Sequence, residues 1–399
     1  MAIGNSGGHA EHLGSDGGHA EHFGSGMNGR RRRTAANVIN GHRSKERAPV
    51  LVTGATGYTG GHLALRLREQ GHEVRALVRR DSRTDRLARA GVRLLEGDIR
   101  RAADVERAVA GVECVYHVAA VFRTAGHSDG YYHDVNVGGT DNVLRAAGAH
   151  GVARVVHCST VGVHGDVAEI PCREATPFNP GDIYQETKLA GEELARSMFA
   201  NGQAGVVVRP ASIYGPGDLR HLKLFKTVGK GQFRMFGSGE TLWHPVYIDD
   251  LVNGLILCGQ REAALGQTYI IAGESYVTLN QWTAGVAAAL GRVPPRGRLP
   301  YWPLFASATV CEAVCRPFGI EPPLHRRRAS FFVKNRAFSI DKARRELGYR
   351  PQVGIDEGLK RTAAWYVAHG HLPRPRGSLR VQALQGAAYW QLATMAGMA

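Results

Sequence analysis

Residues 50–74 read VLVTGATGYTGGHLALRLREQGHEV, and this stretch decides the fold. VLVT is an uncharged run of apolar and β-branched residues, as a strand covered on both faces requires. Glycines follow at 54, 57 and 60, with Thr56 and Tyr58 between them. Helical spacing then takes over in His62, Leu63, Leu65 and Leu67, and Gly71 stops it. Such a strand–turn–helix brings free backbone N–H groups and the positive end of a helix dipole to one point. Gly54 permits the tight turn, Gly57 lets the backbone approach a pyrophosphate, and Gly60 lets the helix pack close to the strand. The loop, Thr56 and Tyr58 included, therefore reads as a phosphate cradle.

Downstream the alternation continues. Residues 73–78, 92–98, 113–120, 153–160, 205–210 and 267–273 read as strands, and 101–111 and 136–150 as helices. This predicts an α/β fold, a Rossmann doubly wound parallel sheet with its ligand crevice at the strand C-termini. From about residue 275 the chain turns helical and proline-broken. Together with 211–240 it reads as a smaller, mostly helical substrate lobe. The expected boundaries are 48–210 for the dinucleotide-binding domain, with 241–273 returning to it, 211–240 and 274–375 for the lobe, and 376–399 for a tail. Residues 1–47 carry a repeat, GGHAEHLGSD (7–16) and GGHAEHFGSG (17–26), too polar to build a core. Its pairs His9/His12 and His19/His22 read as incidental, and no metal site is predicted. Met27 offers an alternative start.

The 399 residues carry a formal net charge of +15. A phosphate-rich cofactor accounts for part of that excess. Basic residues are not interleaved with aromatics along a strand pair, which argues against nucleic acid. The sequence has neither a transmembrane stretch nor a secretory h-region. Six scattered cysteines without a CxxC pair suit a reducing cytoplasm.

Two further patterns carry chemistry. At the end of the second strand, where an acid would favour NAD, stand Arg79 and Arg80; they could clamp a 2′-phosphate, so NADP is expected, with NAD still possible through Asp81 or Asp85. Tyr184 and Lys188 lie four apart on a predicted helix and share one face. An ammonium beside a phenol favours the phenolate, so the pair can exchange a proton with a substrate oxygen. Ser159 and Thr160 close the fifth strand, where a hydroxyl could orient that oxygen.

With these residues in hand the chain resembles the extended short-chain dehydrogenase/reductases, the group that includes the NAD-dependent epimerase/dehydratases. The resemblance runs from about residue 49 to about 370. It rests on TGATGYTG (53–60), GDIR (97–100), HVAA (117–120), VNVGGTDNVL (135–144), CSTVGVHG (158–165), YQETK (184–188), RPASIYGPGD (209–218) and HPVYIDDL (244–251). It implies that Thr160, Tyr184 and Lys188 are the catalytic set. Asp98 would contact the adenine with Ile99 beside it. Ala119 and Ala120 would line the cofactor, Lys188 would also hold the nicotinamide ribose, and Pro210 and Ile213 would flank the nicotinamide. Asn136 is either a helix-start cap or part of a proton relay.

Nucleotide-sugar members of this group usually carry an Asn at the position of Ser212 and a phosphate-binding Arg at that of Trp243. RPASIYGPGD is closer to flavonoid carbonyl reductases and 3β-hydroxysteroid dehydrogenases. Leu299–Phe318 is strongly apolar and reads as a core-facing helix, a wall for a hydrophobic substrate or a membrane-surface contact. The expectation is an NAD(P)-dependent oxidoreductase acting on the carbonyl or secondary alcohol of a largely apolar small molecule. Two alternatives stand beside it: a nucleotide-sugar epimerase or dehydratase, and a non-catalytic NADP-binding sensor or scaffold. Homodimerisation is implied by the resemblance alone.

Overall fold

Val50–Thr53 form β1, and their side chains divide between two cores. Val50 and Val52 point into one hydrophobic cluster and Leu51 into the other, as strand alternation dictates. The computed structural model describes residues 49–374 except 123–126, 168, 316, 317, 319–321, 323 and 325, and the side chains of 327 and 328. The histidine-rich repeat and the C-terminal tail lie outside the described residues.

After β1 come α1 (Tyr58–Glu69), β2 (Val74–Val78), α2 (Asp85–Arg89), β3 (Arg93–Glu96), α3 (Ala102–Val109), β4 (Cys114–His117) and α4 (Asp129–His133). A π-helical turn (Asp134–Gly138) leads into α5 (Gly139–Ala149), then β5 (Arg154–Cys158), α6 (Ile183–Ala200) and β6 (Gly205–Pro210). The later elements are β7 (Ser212–Tyr214), α7 (Leu222–Gly229), β8 (Met235–Phe236), β9 (Leu242–Trp243), β10 (Pro245–Tyr247) and α8 (Ile248–Gln260). They continue with β11 (Thr268–Ile271), β12 (Val277–Thr278), α9 (Leu279–Ala289), β13 (Arg298–Leu299), α10 (Tyr301–Cys315), α11 (Arg326–Ala329), α12 (Asp341–Leu347) and α13 (Ile355–Ala368).

Seven strands form one sheet in the order β11-β6-β5-β4-β1-β2-β3, every neighbour parallel. The winding reverses between β1 and β4, and the crevice beyond their C-terminal ends is where such a sheet receives a ligand. Helices α3, α5 and α6 pack together over one face, and α1 with α8 over the other. All residues of β1, β4, β5 and β6 are buried, which explains their near-continuous apolar sequences.

Strands three, four and five stop short of their sequence limits. Gly97 and Ser159 still donate their N–H groups to Val78 and Val208 of the neighbouring strands, but the next residues bond elsewhere: Asp98 N–H donates to Asp104 and Ala119 N–H to Thr53 Oγ1, and Thr160 caps a 3₁₀ turn. These departures line the crevice.

Four histidines are packed into this interior at 2 % exposure or less: His117, His157, His164 and His244. Burial lowers all four, His117 to about 3, His164 and His244 to about 4, and His157 well below its ordinary value. The unfolded chain therefore takes up protons near pH 6.5 that the native chain refuses, and stability falls as pH drops below that value. Going from pH 7.5 to 5.5 is expected to remove on the order of 1 kcal/mol per histidine, about 4 kcal/mol together. Urea midpoints at the two pH values measure it; equal midpoints would show that these rings accept protons in the native state.

Candidate active site

At the mouth of the crevice the glycine loop and the end of β4 touch. Gly54 has φ +73°, and a Cβ there would sit 2.7 Å from the Ala119 nitrogen. A Cβ on Gly60 would lie 2.3 Å from the Gly54 carbonyl oxygen, so α1 approaches β1 as closely as backbone allows. Gly57 is the N-cap of α1, no side chain caps the helix, and its first turn has no acid. The leading N–H groups are left for an anion from outside, and a dinucleotide diphosphate fits this cradle. Thr56 is exposed at the tip. The Tyr58 ring turns inward instead, against the loop after β7: its hydroxyl would lie 2.9 Å from a Cβ on Gly215. Burial, then the Asp218 charge, push the Tyr58 phenol far up, so it stays a neutral O–H; because the ring is turned inward, what Tyr58 presents at the loop is its backbone N–H.

Beyond the ends of β2 and β3 a second cationic group assembles. Arg79 Nη1 donates to the Tyr131 hydroxyl at 3.3 Å, and the Arg100 guanidinium lies 5.1 Å from the Tyr131 ring centre. Arg100 also forks onto Asp98, with Nη2–Oδ2 at 2.7 Å, and that hydrogen bond holds the Asp98 carboxyl low. Arg80 points elsewhere, to Glu96 at 2.9 Å. Of the two arginines expected at a 2′-phosphate, only Arg79 joins this group. Arg100 is the companion the sequence reading passed over, although it ends the GDIR motif; the parallel register of β2 and β3 brings it there. Ile99 is buried beneath α5, where a Cβ on Gly139 would meet its Cδ1 at 2.6 Å.

Deeper in the crevice, α6 lays two side chains toward β5. Asp182 caps the helix by accepting from Gln185 N–H at 3.0 Å, which fixes the first turn that carries Tyr184. Lys188 is buried, and its Nζ donates to the Cys158 carbonyl at 2.8 Å; burial lowers the ammonium below its ordinary range. Tyr184, one turn earlier, is 8 % exposed and meets the edge of Phe122, with ring centres 4.9 Å apart. Thr160 Oγ1 accepts from Gly162 N–H at 3.0 Å, leaving its own hydrogen to donate. Ser159 is engaged differently: its hydroxyl donates to Glu192 at 2.6 Å, inside a buried network with Arg209. Asn136 lies in the π turn rather than at a helix start, which corrects the cap alternative. It donates to Thr187 Oγ1 at 3.0 Å and accepts from Val121 N–H at 2.8 Å, tying the end of β4 to α6. Ala119 is half-buried and Ala120 exposed along this edge; Pro210 closes β6, and Ile213 stands half-buried on β7.

Arg220 was invisible as a site residue in the sequence. Its guanidinium lies 5.5 Å from the Tyr58 ring centre and 5.8 Å from that of Phe122, so it spans from the glycine loop to the Tyr184 wall. Asp218 holds it at 2.7 Å. Burial pushes the Asp218 carboxyl up, but the His221 hydrogen bond and the Arg220 charge outweigh it and bring it down to about 2.

Trp243 occupies the far side. It is 9 % exposed, its indole N–H has no partner among the described residues, and it packs edge-on against Phe331 with ring centres 4.9 Å apart. Arg336 stacks over Trp243 at 5.6 Å. Ser212 N–H donates to the His244 carbonyl at 3.2 Å, joining β7 to β10.

Comparison with known proteins adds to this geometry. Residues 50–272 match the model of the NAD dependent epimerase/dehydratase family. Short-chain dehydrogenase/reductase family 42E member 1 of Bos taurus is 33 % identical over 368 residues, covering 84 % of this chain and 91 % of that protein. The 2-alkyl-3-oxoalkanoate reductase of Stenotrophomonas maltophilia is 32 % identical over 327 residues, covering 79 % and 98 %. Among solved structures, the dTDP-glucose 4,6-dehydratase DesIV of Streptomyces venezuelae, with NAD and TYD bound, aligns with a TM-score of 0.63 at 26 % identity, covering 80 % of this chain and 97 % of that one.

Proposed function

The chain belongs to the NAD dependent epimerase/dehydratase family, and within it we propose an NADP-dependent reductase or dehydrogenase for a largely apolar carbonyl or secondary alcohol. The observation that carries the catalytic part is the buried Lys188 ammonium, anchored on the Cys158 carbonyl one helical turn from Tyr184. A buried cation is costly to keep, and a binding scaffold has no use for one beside a phenol. A bound nicotinamide supplies the hydride acceptor or donor. The chain's own groups do the rest: the Tyr184 Oη gives its proton to the carbonyl oxygen or takes one from the alcohol, Thr160 donates its hydroxyl hydrogen to the same oxygen, and Lys188 supplies the positive charge that favours the phenolate. Lys188 would also hold the nicotinamide ribose, and Ala119, Ala120, Pro210 and Ile213 would line the cofactor.

Two observations support the substrate class. Trp243 and Phe331 form an aromatic wall where nucleotide-sugar members of the resembled group carry a phosphate-binding arginine. A relative matched over 98 % of its own length is named a 2-alkyl-3-oxoalkanoate reductase, and such a substrate joins alkyl chains to a keto group and a carboxylate. Arg336, stacked on that same wall, favours the second reading, a nucleotide-sugar epimerase or dehydratase, because it could meet a diphosphate. Among the described residues no helix is long and apolar enough to cross a membrane. All six cysteines are free thiols. A cytoplasmic location is part of the proposal.

The test is a titration of tryptophan quenching with NADPH and NADH, alongside turnover of an apolar 3-oxo acid and of UDP-sugars. NADPH is expected to bind more tightly and to be consumed with the 3-oxo acid. Arg79→Ser is expected to weaken NADPH by about 1.5–3 kcal/mol, roughly ten- to a hundredfold in Kd, and to leave NADH unchanged. An equal loss for both dinucleotides would remove the 2′-phosphate role, and conversion of a UDP-sugar without net redox would put the epimerase reading first.

A further inference from the structure

Helix α10 (YWPLFASATVCEAVC) is apolar on every side, yet Ala308 is its only buried residue. A helix of that composition belongs in a core or in lipid. This one is not the core-facing helix that its sequence allowed. Trp302, Phe305, Val310 and Val314 are 72, 43, 62 and 59 % exposed, and at about 3.6 residues per turn they spread over roughly half the helix circumference, a broad outward stripe. Thr309, the polar residue between them, turns its hydroxyl back onto the Phe305 carbonyl at 2.9 Å. Glu312, the helix's one acid, is held by Arg326 at 2.8 Å. Apart from the exposed Ser307 at its edge, the stripe therefore offers water little to bond.

Its neighbourhood is cationic. Between Glu274 and Glu312 the sequence has no acidic residue, while Arg292, Arg296 and Arg298 are all exposed. Arg234 packs against the same segment, 2.3 Å from where a Cβ on Gly297 would be. Two adjoining clefts of about 230 and 320 Å³ share Phe233, Pro295 and Arg296; Arg298 lines the first and Arg234 the second. β13, which carries Arg298 of the first cleft, runs through Pro300 directly into α10, so that cleft lies a few residues before Trp302.

An apolar helix face with a tryptophan at one end and an arginine-rich rim beside it, whose nearby acid Glu240 is held by Asn280 at 2.6 Å, complements one surface, the headgroup region of an anionic bilayer. We propose that α10 lies in that interface. Trp302 and Phe305 enter the acyl boundary, and Arg234, Arg296 and Arg298 receive lipid phosphates in the two clefts. This rests on no assignment of the reaction.

Flotation of the full chain with phosphatidylcholine vesicles, with and without phosphatidylglycerol, tests it. Partitioning is expected to be about tenfold stronger on the anionic vesicles and to weaken with salt. Trp302→Ser with Phe305→Ser is expected to lower it about tenfold on both; both side chains face outward, so the far-ultraviolet melt and NADPH binding serve as unchanged controls. Arg296→Ala with Arg298→Ala is expected to remove only the anionic preference, and a chain ending at Arg374 is expected to bind as the full one does. No flotation, flotation indifferent to the Trp302/Phe305 pair, or loss of binding on removing residues 375–399 would each overturn the proposal. So would a dimer that the pair breaks without any vesicle binding, which would assign the stripe to a second copy of the chain.

Discussion

Tyr184→Phe is expected to lower kcat by roughly two to four orders of magnitude, the span of a lost general acid or base. The ring stays, so its edge contact with Phe122 and the packing of α6 remain, and NADPH quenching is expected to be unchanged. Lys188→Met separates function from folding more sharply. The ammonium is buried and donates to the Cys158 carbonyl, and burial disfavours its charged form. Methionine fills much the same volume without that penalty, so the variant is expected to melt at the wild-type temperature or above it while losing activity. Steady-state kinetics and a thermal melt on the same preparations decide the matter. A Tyr184→Phe enzyme within a few-fold of wild type would end the catalytic assignment.

The second large effect concerns the pair beneath Ser159. Glu192 and Arg209 are 0 and 1 % exposed and bond through both guanidinium Nε and Nη2. Arg209 further donates to the Glu174 carbonyl at 2.8 Å and shares a hydrogen bond with His164 at 3.0 Å, and its guanidinium lies 4.9 Å from the Phe178 ring centre. Glu192→Ala leaves a guanidinium buried without its counter-ion, which costs about 3–5 kcal/mol. Against a domain stability of roughly 5–15 kcal/mol that is about a fifth or more of the total. The Glu192→Leu/Arg209→Met double variant removes both charges and is expected to recover most of the loss. Urea unfolding of the single and double variants measures the difference. A single variant within about 1 kcal/mol of wild type would mean that water reaches Arg209.

Residues 97–98 show where sequence reading stops. GDIR reads as a strand end, to which the resemblance adds an acid for the adenine, and Asp98 follows β3 by two residues. That Arg100 folds back onto Asp98 and meets Arg79 at Tyr131 depends on strands β2 and β3 lying side by side, and no local pattern states it. Arg80 makes the same point in reverse. Adjacent residues at a strand end point in different directions, so one arginine joins the group and the other reaches Glu96. Ser159 and Thr160 look alike in CSTVG, yet one hydroxyl faces a buried carboxylate and the other stays half-exposed at the crevice.

What the sequence determined by itself is local and periodic. The strand–glycine–helix cradle, the alternation that yields a parallel sheet and the four-residue step from Tyr184 to Lys188 all follow from backbone geometry and short-range spacing. What only the tertiary structure decided is which distant groups become neighbours. Lys188 meets the carbonyl of Cys158, thirty residues earlier; Arg220 spans Tyr58 and Phe122; the apolar face of α10 is turned outward. The reason is that apolar periodicity fixes that a face is buried or bound, while its partner is fixed by strand order and helix packing, which no segment encodes alone.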